Sequence, residues 1–169
     1  MSVIRQLELK DAEQMLECLN DSSNMKYLAI GEQKHSIDDC KSFVLKSQID
    51  RFNKHFAIVD ENNRWIGTVS LKNIDCLVKQ AELAIITASN VHGKGYAKRA
   101  IDEVLTYAFL QLGLNRVYLN VIDENISANR LYKKCGFSFE GTAREAIIVN
   151  KTLYNLNWYS ILKSEFEII

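Results

Sequence analysis

A glycine loop, Val91-His92-Gly93-Lys94-Gly95-Tyr96-Ala97, is the part of the sequence whose residue types and spacing point most directly to chemistry. It follows a short apolar run and precedes a helical pattern, so it presents unpaired backbone N–H groups at the positive end of a helix, where anions bind. Lys94, Lys98 and Arg99 add cations where the helix dipole disfavours them, and the first acidic residue is Asp102. The loop therefore predicts a polyanion site, and the alternative is a plain strand-to-helix turn whose cations pair with surface carboxylates.

Two familiar phosphate-binding loops do not match this segment. A Walker loop has a Lys-Ser/Thr pair directly after its last glycine, whereas Tyr96 and Ala97 follow Gly95 here. The dinucleotide-binding fingerprint has a third small residue at the position of Lys98 and lies within a series of βα units. We therefore expect the loop to hold a diphosphate in a different fold.

The hydrophobic patterns around the loop predict the elements that position it. Helices are predicted to begin at Asp11, after the Ser36–Asp39 capping box and at about Lys98, and a short one covers residues 126–135. The order β-α-α-β-β-β-α-β-α-β-β places antiparallel hairpins before one βαβ crossover, which predicts an α+β fold with a mixed sheet and helices on both faces. The predicted strands cover residues 3–9, 56–59, 65–71, 83–86, 117–121, 137–141 and 154–162.

Length and composition restrict the class of protein further. The chain has 169 residues, 47% of them hydrophobic and 25% charged, with no linker or repeat, which predicts one globular domain over residues 1–169. Lys and Arg number 21, as do Asp and Glu, so there is no basic excess and we expect no nucleic-acid partner. No apolar run is long enough to cross a bilayer and no signal core is present, which predicts a cytoplasmic protein with no membrane partner.

The cysteines and histidines do not predict a metal site. The four cysteines, Cys18, Cys40, Cys76 and Cys135, form no CxxC pair, and the chain has three histidines. We therefore expect reduced thiols and no metal. Covalent catalysis by Cys135 requires a histidine partner that is not evident, so a packing role is predicted for it.

Several separately spaced segments carry a family resemblance: Ala81-Glu82-Leu83, the glycine loop, Ala108-Phe109, Leu112-Gly113-Leu114-Asn115-Arg116-Val117, residues 125–132, Lys134, Gly136-Phe137 and Glu140-Gly141. Together they resemble the GNAT superfamily of acyl-CoA-dependent N-acyltransferases. The pattern is most similar to ribosomal-protein N-terminal, spermidine and amino-sugar acetyltransferases. The resemblance implies a single GNAT-type domain with a mixed, mostly antiparallel seven-stranded sheet that is splayed between strands 4 and 5.

The resemblance also implies acetyl-CoA as cosubstrate and the residues that contact it. The family's loop reads Arg/Gln-x-x-Gly-x-Gly/Ala, which His92, Gly95 and Ala97 match except at His92. Small residues let backbone amides approach the CoA diphosphate, and the splayed strand pairs with the pantetheine arm. The alternative for that strand is an ordinary buried strand. The implied cofactor-binding residues are Leu83, Ile85, Ile86, Thr87, His92, Gly93, Lys94, Gly95, Tyr96, Ala97, Lys98, Asn125 and Tyr132.

The resemblance implies two catalytic residues, Tyr132 and Glu82. Tyr132 follows Asn125 by about two helical turns, so both lie on one face. In the family the Asn position contacts pantetheine and the Tyr position protonates the departing thiolate, whereas the alternatives are a helix cap and a core aromatic. Glu82 is the candidate base for the amine. The alternatives are a water chain as the base, with Glu82 as a solvated strand charge or a salt-bridge partner.

The sequence does not identify the acceptor amine. Residues 21–54 hold a balanced set of charges, whereas a polyamine pocket should be acidic, so we expect a protein N-terminus or an amino sugar ahead of a polyamine. The aromatic residues Tyr27, Tyr154, Trp158 and Tyr159 suit an acceptor surface, a core or a homodimer contact. A non-catalytic acyl-CoA-binding module is the alternative function, and Tyr132 disfavours it. The charged residues counted are Asp21, Glu32, Asp38, Asp39 and Asp50 against Lys26, Lys34, Lys41, Lys46, Arg51 and Lys54.

Overall fold

Seven strands form one mixed sheet in the order β1-β2-β3-β4-β5-β7-β6 in the computed structural model, which describes residues 2–27 and 34–166. Every neighbouring pair is antiparallel except β4 and β5, which run parallel. The predicted α+β class and mixed sheet are therefore confirmed. The strands are β1 (Ile4–Gln6), β2 (Lys54–Val59), β3 (Trp65–Asp75), β4 (Gln80–Thr87), β5 (Arg116–Ile122), β6 (Ser138–Val149) and β7 (Thr152–Leu162).

Helices cover both faces of the sheet and bury two separate apolar cores. The larger core packs α4 and α5 against residues such as Leu83, Leu119 and Tyr159, and the smaller packs α1 and α3 against Ala57 and Trp65. The helices are α1 (Ala12–Asn20), α2 (Ser22–Met25), α3 (Ile37–Ile49), α4 (Tyr96–Thr106) with a π turn (Tyr107–Gln111) after it, and α5 (Ile126–Lys134).

The sheet opens between its two parallel strands. β4 and β5 pair only through Gln80, Ala81 and Glu82, whose partners are Arg116, Val117 and Tyr118. Beyond that point, residues 83–87 keep β3 as their neighbour and residues 119–122 keep β7. The predicted splay between strands 4 and 5 is confirmed, and it leaves a gap with backbone hydrogen-bonding groups on one edge of each strand.

Several boundaries differ from the predicted ones for local reasons. β1 stops at Gln6 because the chain turns into a 3-10 helix (Leu9–Asp11), where Asp11 forms an ion pair with Arg5 at 2.8 Å. α4 begins at Tyr96 rather than Lys98 because Gly95 takes a left-handed conformation directly before it. β6 extends well beyond residue 141 because register shifts carry its pairing with β7 past two irregular points. That one domain covers all of residues 1–169 stays a prediction, and Glu32 lies outside the described residues.

Candidate active site

The glycine loop leads from β4 into α4 and, with the first turn of that helix, leaves several backbone amides unbonded. Gly93 and Gly95 have φ angles of 77° and 86°, and a Cβ built on either meets no protein atom within 4 Å. The N–H of Arg99 is the first of the helix to be bonded, to the carbonyl of Gly95 at 3.2 Å. Among the described residues, no acceptor is bonded to the N–H groups of residues 93 and 95–98. A cradle of free amides with open space above it fits a diphosphate.

The side chains near the loop are more engaged than its backbone. Tyr96 donates from its hydroxyl to the Glu61 carboxylate at 2.6 Å, which ties α4 to the β2–β3 turn. Lys98 pairs with Asp102 at 2.7 Å, and this hydrogen bond raises the pKa of Lys98. The alternative of pairing with a carboxylate is therefore present at Lys98, and contact of Lys98 with CoA stays a prediction. Lys94 is exposed. The ring of Tyr96 is partly buried and packs against the larger core.

His92 is exposed at the start of the loop, next to the turn that begins α2. Ser89 donates a hydrogen bond to the Asp21 carboxylate at 2.7 Å. Hydrogen bonds from Ser23 and Ser89, with His92 nearby, lower the pKa of Asp21. This contact joins the residue that caps α2 to the 3-10 turn before the glycine loop, and contact of His92 with CoA stays a prediction.

The predicted pantetheine-binding residues lie along the open edge of β4. Leu83 and Ile85 face the larger core and Ile86 faces the smaller one, because successive strand side chains alternate between faces. Thr87 ends the strand two residues before the 3-10 turn Ser89–Val91 that leads to the glycine loop. The open edge of β4 is therefore followed, after one short turn, by the unbonded amides of the glycine loop.

Tyr132 lies on α5 in the larger core, with 8% of its surface exposed. Burial raises the pKa of its phenol, and the nearby Cys135 adds to the effect. Its hydroxyl has no hydrogen-bond partner among the described residues. The ring is therefore held by packing. Cys135 is itself buried, as predicted, and burial raises the pKa of its thiol to about 12.

Asn125 is the N-cap of α5. Its side-chain oxygen accepts from the N–H of Ala128 at 3.2 Å and from the hydroxyl of Ser127 at 3.1 Å. The helix-cap alternative is thus present in the structure, and contact with pantetheine stays a prediction. Asn125 therefore caps the start of α5, and Tyr132 lies in the last turn of the same helix.

Glu82 sits on the last paired rung of β4, opposite Tyr118. Its carboxylate accepts from the amide of Asn73 at 3.0 Å and lies 3.5 Å from the ammonium of Lys72. Its side chain is 20% exposed. The salt-bridge alternative is therefore present as well, but the longer ion-pair distance leaves one carboxylate oxygen weakly engaged.

Glu82 and Tyr132 lie on opposite faces of the sheet. Glu82 is four residues before Ile86 on the same strand, so both side chains point to the face of α1 and α3, whereas Tyr132 belongs to the core of α4 and α5. The gap begins directly after Glu82, so this carboxylate lies at its edge. Contact of Tyr132 with a group held in the gap stays a prediction.

Asn129 is a buried polar residue that the sequence did not single out. It is 8% exposed. Its amide donates to the backbone carbonyls of Ile122 and Asn125, just before α5, and accepts from Tyr159 and Asn157 on β7. The only available signal was its position on the inner face of a short helix, three residues before Tyr132, where an apolar residue is expected.

Comparisons with known proteins agree with this geometry. The chain matches the family described as acetyltransferase (GNAT) domain over residues 2–138. It is 32% identical over 163 residues to a spermidine N(1)-acetyltransferase of Vibrio cholerae, covering 96% of this chain and 94% of the relative. It is also 32% identical over 169 residues to a putative ribosomal N-acetyltransferase, YdaF, of Bacillus subtilis, covering 97% and 92%. A crystal structure of spermidine N-acetyltransferase from Vibrio cholerae in complex with CoA and spermine superposes with a TM-score of 0.87 at 32% identity, covering 96% of both chains.

The chain belongs to the GNAT acetyltransferase family. It is an acetyl-CoA-dependent N-acetyltransferase, as predicted, with acetyl-CoA as cosubstrate and a single GNAT-fold domain. One expectation needs correction: the relatives favour a polyamine acceptor, whereas the charge balance of residues 21–54 had placed a polyamine last. Among the described residues, no helix is long and apolar enough to cross a membrane.

Proposed function

We propose that the protein transfers the acetyl group of acetyl-CoA to a primary amine of a small polyamine. The observation that carries this proposal is the near-complete match to spermidine N-acetyltransferases, one of which was solved with CoA and spermine. In support, a carboxylate that suits a cationic amine, Glu82, lies at the opening of the sheet. A homodimer and a cytoplasmic location stay predictions from the sequence.

The charge count carries little weight against a polyamine, because most of the acids counted in residues 21–54 bond to backbone groups. Asp39 accepts from the backbone N–H and hydroxyl of Ser36, and Asp50 accepts from the N–H groups of Phe52 and Asn53. Asp21 caps α2. Carboxylates committed to caps and turns do not report on the charge of a pocket, so the balance of a whole segment says little about its ligand.

In the proposed reaction, residues from the two faces act on opposite sides of the thioester. The thioester supplies an activated acetyl carbonyl. Glu82 takes the proton of the attacking amine, directly or through a water, as the new C–N bond forms. Tyr132 donates its phenolic proton to the sulfur as the C–S bond breaks, and it is reprotonated from solvent after the products leave. The raised pKa of Tyr132 keeps this donor protonated at neutral pH.

In the same proposal, the backbone of residues 93–98 binds the CoA diphosphate and the open edge of β4 pairs with the pantetheine arm. Free N–H groups at a helix start carry partial positive charge, and an extended chain can add to an unpaired strand edge as a further strand. Both features exist without side-chain rearrangement, because Gly93 and Gly95 leave the approach to the amides open.

A protein N-terminus is a second candidate acceptor, because a putative ribosomal N-acetyltransferase matches the chain to a similar extent. The test is release of CoA thiol from acetyl-CoA in the presence of spermidine, spermine, an amino sugar or short peptides, each at the same concentration. We expect kcat/KM for spermidine or spermine to exceed that for every peptide at least tenfold. A peptide or amino sugar that reacts faster than both polyamines refutes the polyamine proposal and leaves the acetyltransferase activity intact.

A further inference from the structure

Asn129 uses its whole hydrogen-bonding capacity to fasten α5 to the sheet. Its Nδ2 donates to the carbonyls of Ile122 at 3.0 Å and Asn125 at 2.8 Å. Its Oδ1 accepts from the hydroxyl of Tyr159 at 2.8 Å and from the amide of Asn157 at 3.0 Å. A side-chain amide has two donors and two acceptor sites, so no capacity remains unused.

The orientation of this amide follows from its partners. Backbone carbonyls only accept, so the nitrogen must face Ile122 and Asn125, and the oxygen must face β7. Tyr159 is 1% exposed, and its hydroxyl points at this oxygen. A different residue at position 129 therefore leaves several buried polar groups unpaired at once.

Tyr132 is next to this network in two ways. It follows Asn129 by three residues, about one turn along the same helix. Its ring also contacts the ring of Tyr159, with centroids 6.4 Å apart, and the ring of Phe137 at 6.0 Å. Tyr159 therefore both donates a hydrogen bond to Asn129 and packs against the ring of Tyr132.

α5 needs such an external restraint to hold a side chain accurately. It has nine residues, a length at which an isolated helix is unstable in water. Its N-cap, Asn125, satisfies the helix end, but the Asn125 side chain bonds only to residues of the first turn. The Asn129 amide is the hydrogen-bonded link that, among the described residues, joins the body of α5 to β7.

We propose that Asn129, together with Tyr159, is a positioning residue that sets the place of the Tyr132 hydroxyl at the β4–β5 gap. This inference rests on the proposed function, in which Tyr132 is the proton donor. A displacement of about 1 Å in a reacting group can lower the rate about a hundredfold. Loss of the amide therefore acts on kcat through Tyr132 while the diphosphate and pantetheine contacts, made by other elements, remain.

The first experiment compares Asn129→Leu, Tyr159→Phe and their double variant with the wild-type enzyme. We expect Asn129→Leu to lower kcat about 10- to 100-fold and the Tm, with KM for acetyl-CoA within about twofold. The double variant also removes the buried Tyr159 hydroxyl that Asn129→Leu leaves unpaired, so its Tm recovers partly, but its kcat stays low. Recovery of kcat in parallel with Tm would overturn the inference, because it indicates a role in stability alone.

Two further variants keep the test decisive. Asp11→Asn weakens the ion pair of a buried carboxylate with Arg5, next to the edge strand β1. It is the control for lost stability, and we expect its Tm to fall while its kcat is unchanged. If Asn129→Leu does not fold, Tyr159→Phe retains the ring, and we expect it to lower kcat three- to tenfold. An unchanged kcat for a folded Tyr159→Phe protein then overturns the inference.

The second experiment is a double-mutant cycle with Tyr132→Phe. If Asn129 acts through Tyr132, Asn129→Leu changes kcat less than twofold in the Tyr132→Phe background. An equal loss in both backgrounds refutes positioning. A Tyr132→Phe enzyme with wild-type kcat instead refutes the proposed proton donor, so the two failures are told apart by a single variant.

Discussion

Glu82 and Tyr118 are partners on the last rung of the parallel β4–β5 ladder, and the sheet separates immediately beyond them. The negative charge of Glu82 also raises the pKa of Tyr118, after the larger effect of burial. A carboxylate thus marks the point at which the sheet opens. Its register, rather than any side-chain contact, places it where an incoming amine meets the thioester in the proposed reaction.

Replacing the carboxylate tests its role as the base. Glu82→Gln retains an acceptor for the Asn73 amide but has no group that accepts the proton of the amine. We expect kcat/KM for the acceptor to fall about 100-fold or more at pH 7, since a positioned base contributes about 10²–10⁴-fold. The loss should shrink at high pH, where more of the amine is already deprotonated.

Lys72→Met is the matched control for that variant. It removes the 3.5 Å ion pair from the other side and leaves the carboxylate in place. If Glu82 only balances Lys72, both variants should have the same small effect, because partly exposed ion pairs contribute about 0–1 kcal/mol. Similar steady-state constants for the two proteins would therefore contradict the role as base.

The sequence predicted the features that depend on local chain chemistry. The glycine loop, the strand before it and the helix after it are encoded by neighbouring residues, and Gly95 defines the start of α4 by its left-handed conformation. The parallel crossover between β4 and β5 follows from the order of elements. These features hold the candidate cosubstrate site, which explains why it was recognisable without a structure.

Features that depend on distant contacts were not predictable in the same way. Nothing near Asn129 in the sequence indicates that Tyr159, thirty residues away, completes its hydrogen bonds. The sequence allowed Lys98 to pair with a carboxylate, but only the side-chain geometry shows that Asp102 is the partner. The expected order of acceptors depended on a charge count, and the sequence does not reveal which carboxylates are used as caps.

Binding of CoA should raise the thermal stability of the protein. The free amides at residues 93 and 95–98 bind only in the folded state, so CoA at 100 times its dissociation constant adds about 2.7 kcal/mol to the free energy of unfolding. We expect a micromolar dissociation constant from isothermal titration and a higher Tm from scanning calorimetry. No heat of binding at millimolar CoA would refute the cosubstrate site.

Gly95→Glu should abolish CoA binding while the protein still folds. The new side chain enters open space, so it causes no clash, but it occupies the approach to the amides and repels the diphosphate. Gly113→Glu is the matched control, because Gly113 also has positive φ and open space around its Cβ position but lies at the far end of the α4 segment. Equal CoA affinity of the two variants in titration calorimetry would show that the loop is only a turn.

The pH profile of kcat should lack an alkaline decline below about pH 10. Burial disfavours the phenolate and raises the pKa of Tyr132, so the protonated donor persists as the pH increases. The activity should increase with pH as the acceptor amine deprotonates, and then reach a plateau. Initial rates between pH 6 and 9.5 test this, and a decline between pH 7 and 9 would identify a different proton donor.

Tyr132→Phe isolates the hydroxyl from the ring. The ring contacts with Phe137 and Tyr159 remain, and the hydroxyl has no hydrogen-bond partner among the described residues, so we expect the Tm to change little. A positioned general acid contributes about 10²–10⁴-fold, or about 3–5 kcal/mol of activation free energy. The loss should therefore appear in kcat, with KM for acetyl-CoA nearly unchanged.

The structural alternative for Tyr132 makes the opposite prediction. A core tyrosine whose hydroxyl is a buried hydrogen-bonding group would lose stability on substitution and little activity. Measurement of kcat with the best acceptor, under conditions in which a pre-steady-state burst is absent and chemistry limits turnover, separates the two. A folded Tyr132→Phe protein with nearly wild-type kcat would assign protonation of the thiolate to solvent, and it would leave the buried ring of Tyr132 as a packing element of α5.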